Sequence, residues 1–150
     1  MKIFLLVITI LYLYNKIKAT PQQLNENLYK EKMKESLDAL KSQKIDGVNE
    51  DNMKILIQNM YNIFLFLTSL FNVIYYTLVA NRFIDNTVVL LLSAIEIVTV
   101  IISYRRAMII NIYEADVEDN NHKFHRWYLL FNTVLDYIYY LFVIFMLLTN

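Results

Sequence analysis

The sequence lacks several residue types that common catalytic and ligand-binding motifs require. Its 150 residues include no cysteine, one glycine (Gly47) and one proline (Pro21). The absence of cysteine excludes disulfides, thiolate catalysis and cysteine-ligated metal sites. A single glycine cannot form a glycine-rich phosphate loop or a dinucleotide-binding fingerprint. Fourteen basic and fourteen acidic residues leave no net charge, so the composition gives no reason to predict a nucleic-acid partner.

Apolar residues are in excess instead. Hydrophobic residues make up 57% of the chain and charged residues 19%, whereas soluble domains average about 45–50% and 25%. Apolar stretches cover residues 1–19, 53–80, 87–104 and 127–150, and a helix needs about 20 apolar residues to cross a bilayer. We predict an all-α integral membrane protein with three transmembrane helices, a short N-terminal membrane helix and one polar amphipathic helix. The three-helix bundle is expected to span residues 53–150, with a polar loop at 105–126.

The N-terminal segment, residues 1–19, has two interpretations. Twelve largely apolar residues, with Thr9 as the exception, precede Asn15. That run is short for a span and typical of a signal-peptide core, with Ala19 as a cleavage position. Lys16 and Lys18 crowd that position, however, and lysines at both ends of a short helix can reach the membrane interface. A retained membrane helix is therefore favoured over a cleaved signal.

Residues 20–52 form a polar stretch in which one helix is predicted. Thr20 and Pro21 suit the cap and the first turn of a helix, and Asp46 with Gly47 predicts a turn after it. A narrow apolar stripe follows the helical period; its members are Tyr29, Met33, Leu37 and Leu40. Such a stripe fits a helix that docks on a partner or on the membrane surface. It fits an ordinary solvated helix equally well.

The second span carries polar residues along one helical face. Successive members are separated by four, three, four, three and four positions, and Leu65 is the one apolar interruption among Gln58, Asn62, Leu65, Ser69, Asn72 and Tyr76. Polar side chains in a bilayer form hydrogen bonds to neighbouring helices. The spacing favours a helix-packing seam, and the alternative is the lining of a water-filled path.

Two carboxylic acids lie near the centres of the last two spans. Glu96 falls near the midpoint of the third span, and Asp136 lies in the fourth span with Asn132 four residues before it. If these spans are antiparallel neighbours, the acids share one depth, and two carboxyls at close range cannot both ionise. No lysine, arginine or histidine lies well inside spans two to four, so no cation is expected at this depth. Structural hydrogen bonding and proton or cation handling both fit the pair.

The polar loop at 105–126 offers two weaker candidate sites. Arg105 and Arg106 follow the third span and could bind anionic lipid headgroups. Four residues that can bind metals share a helical face there: Glu114, Glu118, His122 and His125. This set lacks the paired motifs of di-iron bundles and zinc proteases. A solvated loop is favoured over a metal site, and neither metal nor cofactor is predicted.

The basic residues predict a topology. Twelve of the fourteen lie between spans one and two or between spans three and four: Lys16, Lys18, Lys30, Lys32, Lys34, Lys41, Lys44, Lys54, Arg105, Arg106, Lys123 and Arg126. Only Lys2 and Arg82 fall on the other side. By the positive-inside rule, both longer loops face the cytoplasm or a matrix-type compartment, and both termini face away from it. A cleaved signal would require the opposite orientation.

Three functions are carried forward. The first is a non-catalytic accessory or structural subunit of a larger membrane complex, with other transmembrane subunits and lipids, including anionic lipids, as partners. Abundant Phe, Tyr, Ile, Asn and Lys indicate an AT-rich genome, which makes a respiratory or ATP-synthase-type complex of the mitochondrial inner membrane a candidate home. The second is a proton or cation channel or carrier that uses Glu96 and Asp136. The third is a bacterial or phage immunity-type membrane factor, and an enzyme is the least supported class.

Overall fold

A computed structural model of the chain describes residues 1–42, 49–109 and 123–149. Five α-helices account for nearly all of these residues. They are α1 (Lys2–Leu24), α2 (Glu26–Lys41), α3 (Glu50–Arg82), α4 (Thr87–Met108) and α5 (Lys123–Thr149). No strand occurs within these ranges. The prediction of an all-α membrane protein is confirmed, because α1, α3, α4 and α5 are each long and apolar enough to cross a bilayer. The chain is therefore a multi-pass membrane protein.

Helix α1 is longer than its apolar run. The helix start predicted at Thr20 and Pro21 is wrong, because α1 continues through Pro21 as far as Leu24. The Thr20 hydroxyl donates to the Lys16 carbonyl, at 2.7 Å, instead of capping a new helix. The break comes at Asn25, whose backbone is extended and whose side-chain oxygen accepts hydrogen bonds from the first turn of α2. Asn25 thus serves as the N-cap that the sequence pattern had assigned to Thr20.

Helix α2 connects the first two spans and packs against α1 and α3. It is polar, and an exposed ion pair joins Lys32 to Glu35 at 2.6 Å. The carboxylate of Glu35 raises the pKa of Lys32, chiefly through this hydrogen bond. The side chains of the predicted apolar stripe (Tyr29, Met33, Leu37 and Leu40) lie outside the described part of the structure, as do Asp46 and Gly47.

Helices α3 and α4 form an antiparallel hairpin. Helix α3 has 33 residues, which span about 50 Å at about 1.5 Å per residue, so it extends beyond a hydrocarbon core of about 30 Å. It ends at a turn in which the amide of Asn86 donates to the carbonyl of Phe83, at 2.9 Å. The Asn86 side chain then accepts from the amides of Val88 and Val89, both at 3.1 Å, and caps α4.

Replacing Asn86 with alanine is expected to lower the free energy of unfolding by about 1 kcal/mol, because two amides at the start of α4 lose their acceptor. Replacement with aspartate should cost less, since a carboxylate also accepts these bonds. Thermal unfolding in detergent measures both changes. Equal losses for the two variants would contradict the role of the cap.

Helices α4 and α5 are also antiparallel, in a register that three contacts define. Asn86 lies against Met146 with its amide nitrogen 4.0 Å from the sulfur. The hydroxyls of Ser93 and Tyr139 are 3.1 Å apart. The carboxyl groups of Glu96 and Asp136 lie close together at the wall of one cavity. Successive positions along α4 therefore face successively earlier positions along α5, as in any antiparallel pair of helices.

Helix α1 completes a four-helix arrangement by packing along α5 and contacting α3 through two side-chain hydrogen bonds. The hydroxyls of Thr9 and Tyr75 are 2.8 Å apart, and the Tyr12 hydroxyl donates to the side-chain oxygen of Asn72 at 2.6 Å. Both pairs fit an antiparallel arrangement of α1 and α3. Around the bundle the helices follow the order α1, α5, α4, α3.

Five aromatic rings meet near the middle of the bundle and form what we term the tyrosine layer: Tyr12, Tyr75, Tyr76, Tyr139 and Tyr140. The ring centroids of Tyr12 and Tyr75 are 4.7 Å apart, and those of Tyr76 and Tyr139 are 5.1 Å apart. On one side of this layer the bundle is filled by buried apolar residues: Leu5, Val79, Phe83, Val89, Val143 and Leu147. This apolar half contains the start of α1 and the turn between α3 and α4.

Candidate functional site

The other half of the bundle contains a cavity of about 350 Å³ to which all four spanning helices contribute. Its polar lining includes carboxyl, ammonium, amide and hydroxyl groups, among them those of Glu96, Asp136, Lys16, Asn72, Asn132 and Ser69. Tyr12, Tyr76 and Tyr140 of the tyrosine layer close its inner end. The cavity therefore extends from the middle of the bundle toward the end where α1 and α4 finish and α3 and α5 begin.

Helix pairing explains why a cavity forms here. Helix α1 packs closely along α5 and α3 packs closely along α4, whereas α4 and α5 meet over a shorter length. Their side-chain contacts at Asn86, Ser93 and Glu96 all fall in the first half of α4. Beyond Glu96, the residues Thr99 and Ser103 line the cavity. The space thus lies between two tightly packed helix pairs.

An ion pair joins α1 to α5 at the wall of this space. The ammonium group of Lys16 contacts the Oδ2 atom of Asp136, and the two side chains are only 15% and 9% exposed. The expectation that no cation lies near the carboxyls is wrong. Lys16 had been placed with the loop residues, but α1 continues for two turns beyond it and carries it into the bundle.

The two carboxyls form the centre of the cavity lining. As whole residues, Glu96 is 3% exposed and Asp136 is 7% exposed, and their carboxyl groups lie close together. Two carboxylates are both acceptors and repel each other, so neighbouring carboxyls at this depth are held most favourably with one proton between them. The ammonium of Lys16 contacts the pair through Asp136 and offsets its negative charge.

The polar face predicted on the second span points in part toward this site. Ser69, Asn72 and Tyr76 line the cavity, and Asn72 is held by the Tyr12 hydroxyl. Asn62 lies two turns before Ser69 and is not among the cavity-lining residues; its oxygen accepts from Gln58 at 3.1 Å. The structure therefore brings Asn72, Ser69, Asn132, Glu96 and Asp136 together and leaves Asn62 apart.

Helix α1 supplies functional residues that the sequence interpretation did not identify. Its inward face carries Thr9, Tyr12, Lys16 and Thr20, and each of them contacts another span. Thr20 reaches α5, where its hydroxyl lies 2.7 Å from that of Tyr137. The spacings of three, four and four match one face of a helix. The same periodicity test that found the face on α3 would have found this one.

The remaining candidate residues lie away from the cavity. Arg105 and Arg106 are exposed in the last turn of α4, where positive charges interact favourably with the helix dipole. Binding of lipid headgroups by these two residues stays a prediction. Glu114, Glu118 and His122 lie outside the described residues, as does the side chain of His125. Within the described ranges, no group of three or more acidic or histidine side chains is arranged to hold a metal ion.

No family model, no curated protein and no solved structure matches this chain. Arguments about its function therefore depend on the residues of the cavity.

Proposed function

We propose that the chain is a proton carrier of the membrane, in which the Glu96 and Asp136 pair takes up and releases a proton from the cavity. The observation that carries this proposal is the pair of adjacent carboxyl groups, in contact with Lys16, at the wall of a polar cavity between transmembrane helices. Ionisable groups inside a bilayer are costly. Shared carboxyls at this depth are also a common means of moving protons.

The size of the cavity supports a functional role over a purely structural one. A hydrogen bond that serves only to join two helices is best made between closely packed side chains, where no space is left. The carboxyl pair instead borders about 350 Å³, and one water molecule needs about 10–15 Å³ of such space. Several water molecules therefore fit beside the acids and could deliver or remove a proton.

The opposite half of the bundle favours a carrier over an open pore. There the described residues fill the space between the helices with the tyrosine layer and the buried apolar side chains. Hydroxyl pairs such as Tyr76 with Tyr140, at 3.0 Å, join helices within the layer. A water-filled path through a single copy of the bundle would have to cross these packed residues. A proton bound at Asp136 would instead leave on the other side after a rearrangement of the layer.

Proton flux in liposomes tests the proposal. Reconstituted protein should dissipate an imposed pH gradient, and Asp136→Asn should reduce the rate at least tenfold because the amide cannot exchange a proton. Glu96→Gln should do the same. Asp85→Asn, which changes an exposed acid in the turn between α3 and α4, is the matched control and should keep the full rate. Parent protein that moves no protons, or variants that match it, would refute the proposal.

The other functions stay predictions from the sequence. The accessory-subunit prediction was supported by polar faces that needed partners, yet Asn72 and Tyr76 find theirs within this chain. That support is therefore weaker, although the role itself is untested. A mitochondrial inner-membrane location depends on composition alone, and the immunity-type factor has no specific observation in its favour. Recovery of the chain in one large assembly after mild-detergent extraction would favour the subunit role.

A further inference from the structure

We propose that Lys16 determines the ion selectivity of the cavity: its ammonium group occupies the position of a monovalent metal cation, so that the site exchanges protons and excludes Na⁺. This inference rests on the proposed function, because it treats the cavity as a site of ion exchange. It adds the residue that sets selectivity and the class of ion that would bind in its absence.

The position of Lys16 supports this assignment. Its ammonium is a compact point charge with three donors, and it contacts Asp136 from the wall of the same cavity that the carboxyl pair lines. The lysine projects from α1. Hydrogen bonds of Thr9 and Tyr12 hold this helix against α3, and one of Thr20 holds it against α5. The cation is therefore part of the protein and does not leave by diffusion.

The groups around the ammonium are those that a hard cation would need. Such ions prefer oxygen ligands from carboxylates, amides, hydroxyls and water. The lining offers carboxyl oxygens of Asp136 and Glu96, and the amides of Asn72 and Asn132 with the hydroxyl of Ser69 lie on the same cavity.

Charge balance favours a monovalent ion. With one proton shared, the two acids carry one negative charge, which the lysine balances. If the lysine were neutral, one monovalent cation would restore the balance, whereas a divalent cation would leave an excess positive charge at a depth where charge is costly.

The test replaces Lys16 with glutamine and measures uptake of radioactive Na⁺ into liposomes that contain the full chain. The parent should take up no more Na⁺ than empty liposomes. Lys16→Gln should exceed that background at least tenfold, because the carboxyl pair then lacks its cation. Lys16→Arg keeps the positive charge and should also take up no Na⁺ above the background of empty liposomes. Lys18→Gln changes an exposed lysine one half-turn away and is the matched control. Uptake by Lys18→Gln, or none by Lys16→Gln, would overturn the proposal.

A second measurement does not depend on transport or on a single variant. Dicyclohexylcarbodiimide modifies protonated carboxyl groups in apolar surroundings, and mass spectrometry locates the modified residue. Na⁺ should leave the labelling of Glu96 and Asp136 unchanged in the parent. It should suppress labelling at least fivefold in detergent-solubilised Lys16→Gln, or in Lys16→Thr should the glutamine variant fail to fold. If Na⁺ did not change the labelling of the neutral variants, the assignment would be refuted.

The outcomes separate this inference from the proposed function. Proton flux in the parent, together with neutral Lys16 variants that ignore Na⁺, would remove the selectivity role and leave the carrier intact. No proton flux in the parent, together with protection by Na⁺ in Lys16→Gln, would remove the carrier and leave Lys16 as the cation that fills the site.

Discussion

Asp136→Leu is expected to lower the free energy of unfolding by about 3–5 kcal/mol, the range for removing one partner of a buried ion pair. The loss arises because Lys16 remains in the bundle with only 15% of its side chain exposed and no longer faces an opposite charge. Glu96 loses its neighbouring carboxyl group in the same variant. Unfolding in detergent, followed by circular dichroism, measures the change. Asp85→Leu, in the exposed turn, should stay within about 0.5 kcal/mol of the parent.

The double variant Lys16→Met with Asp136→Leu identifies the source of this loss. When both charges are replaced by apolar side chains of similar size, no unpaired charge remains, and stability should recover by at least about 2 kcal/mol over Asp136→Leu alone. The coupling between the two positions is then favourable and large. If the double variant were as unstable as the sum of the single variants, Lys16 and Asp136 would not interact, and the central contact of the site would be wrong.

Replacing α1 by a leucine helix of equal length is expected to unfold the bundle. The parent helix supplies one buried ion pair and three interhelical hydrogen bonds, made by Lys16, Thr9, Tyr12 and Thr20. Removing Lys16 leaves Asp136 without its ion-pair partner, which costs about 3–5 kcal/mol, and each hydrogen bond lost within a membrane costs about 0.6 kcal/mol. Their sum, about 5–7 kcal/mol, is comparable to the whole stability of a typical domain.

The matched control restores only the inward face. A leucine helix that keeps Lys16, Thr9, Tyr12 and Thr20 has the same length and nearly the same hydrophobicity, yet it should recover the cooperative unfolding transition. Both helices should still insert in the membrane, because leucine favours insertion. Equal stability of the two proteins would show that α1 contributes only apolar surface. Two unfolded proteins would show that its other side chains, such as the fully buried Leu5, are also required.

Periodicity within one helix predicted part of the site. Ser69, Asn72 and Tyr76 share a face because of their spacing along α3, and the structure places all three at the cavity. Glu96 and Asp136 were expected at one depth because each lies near the middle of an apolar stretch. The antiparallel contact of α4 with α5 brings them together. Properties that depend on one helix, or on one short connection, were accessible from the sequence.

Properties that depend on which helices pair were not accessible. Lys16 follows a short apolar run and has Asn15 and Lys18 beside it, so the local sequence placed it at the interface. Its position in the bundle depends on the packing of α1 against α5, which no local pattern specifies. The helix start predicted at Pro21 was wrong for the same reason. The preference of proline for a first turn was outweighed by contacts made one residue earlier, where the Thr20 hydroxyl bonds to both Lys16 and Tyr137.

In the proposed carrier, the tyrosine layer would also limit the speed of ion movement. Where packed rings separate the two faces of a membrane, each translocation event must wait for those rings and their helices to shift, and collective motions of this kind take microseconds to milliseconds. Turnover should then saturate as the driving force increases, and no unitary current steps should be resolved in a planar bilayer. The temperature dependence should be steep, as expected for a conformational barrier, and steeper than that of diffusion through water.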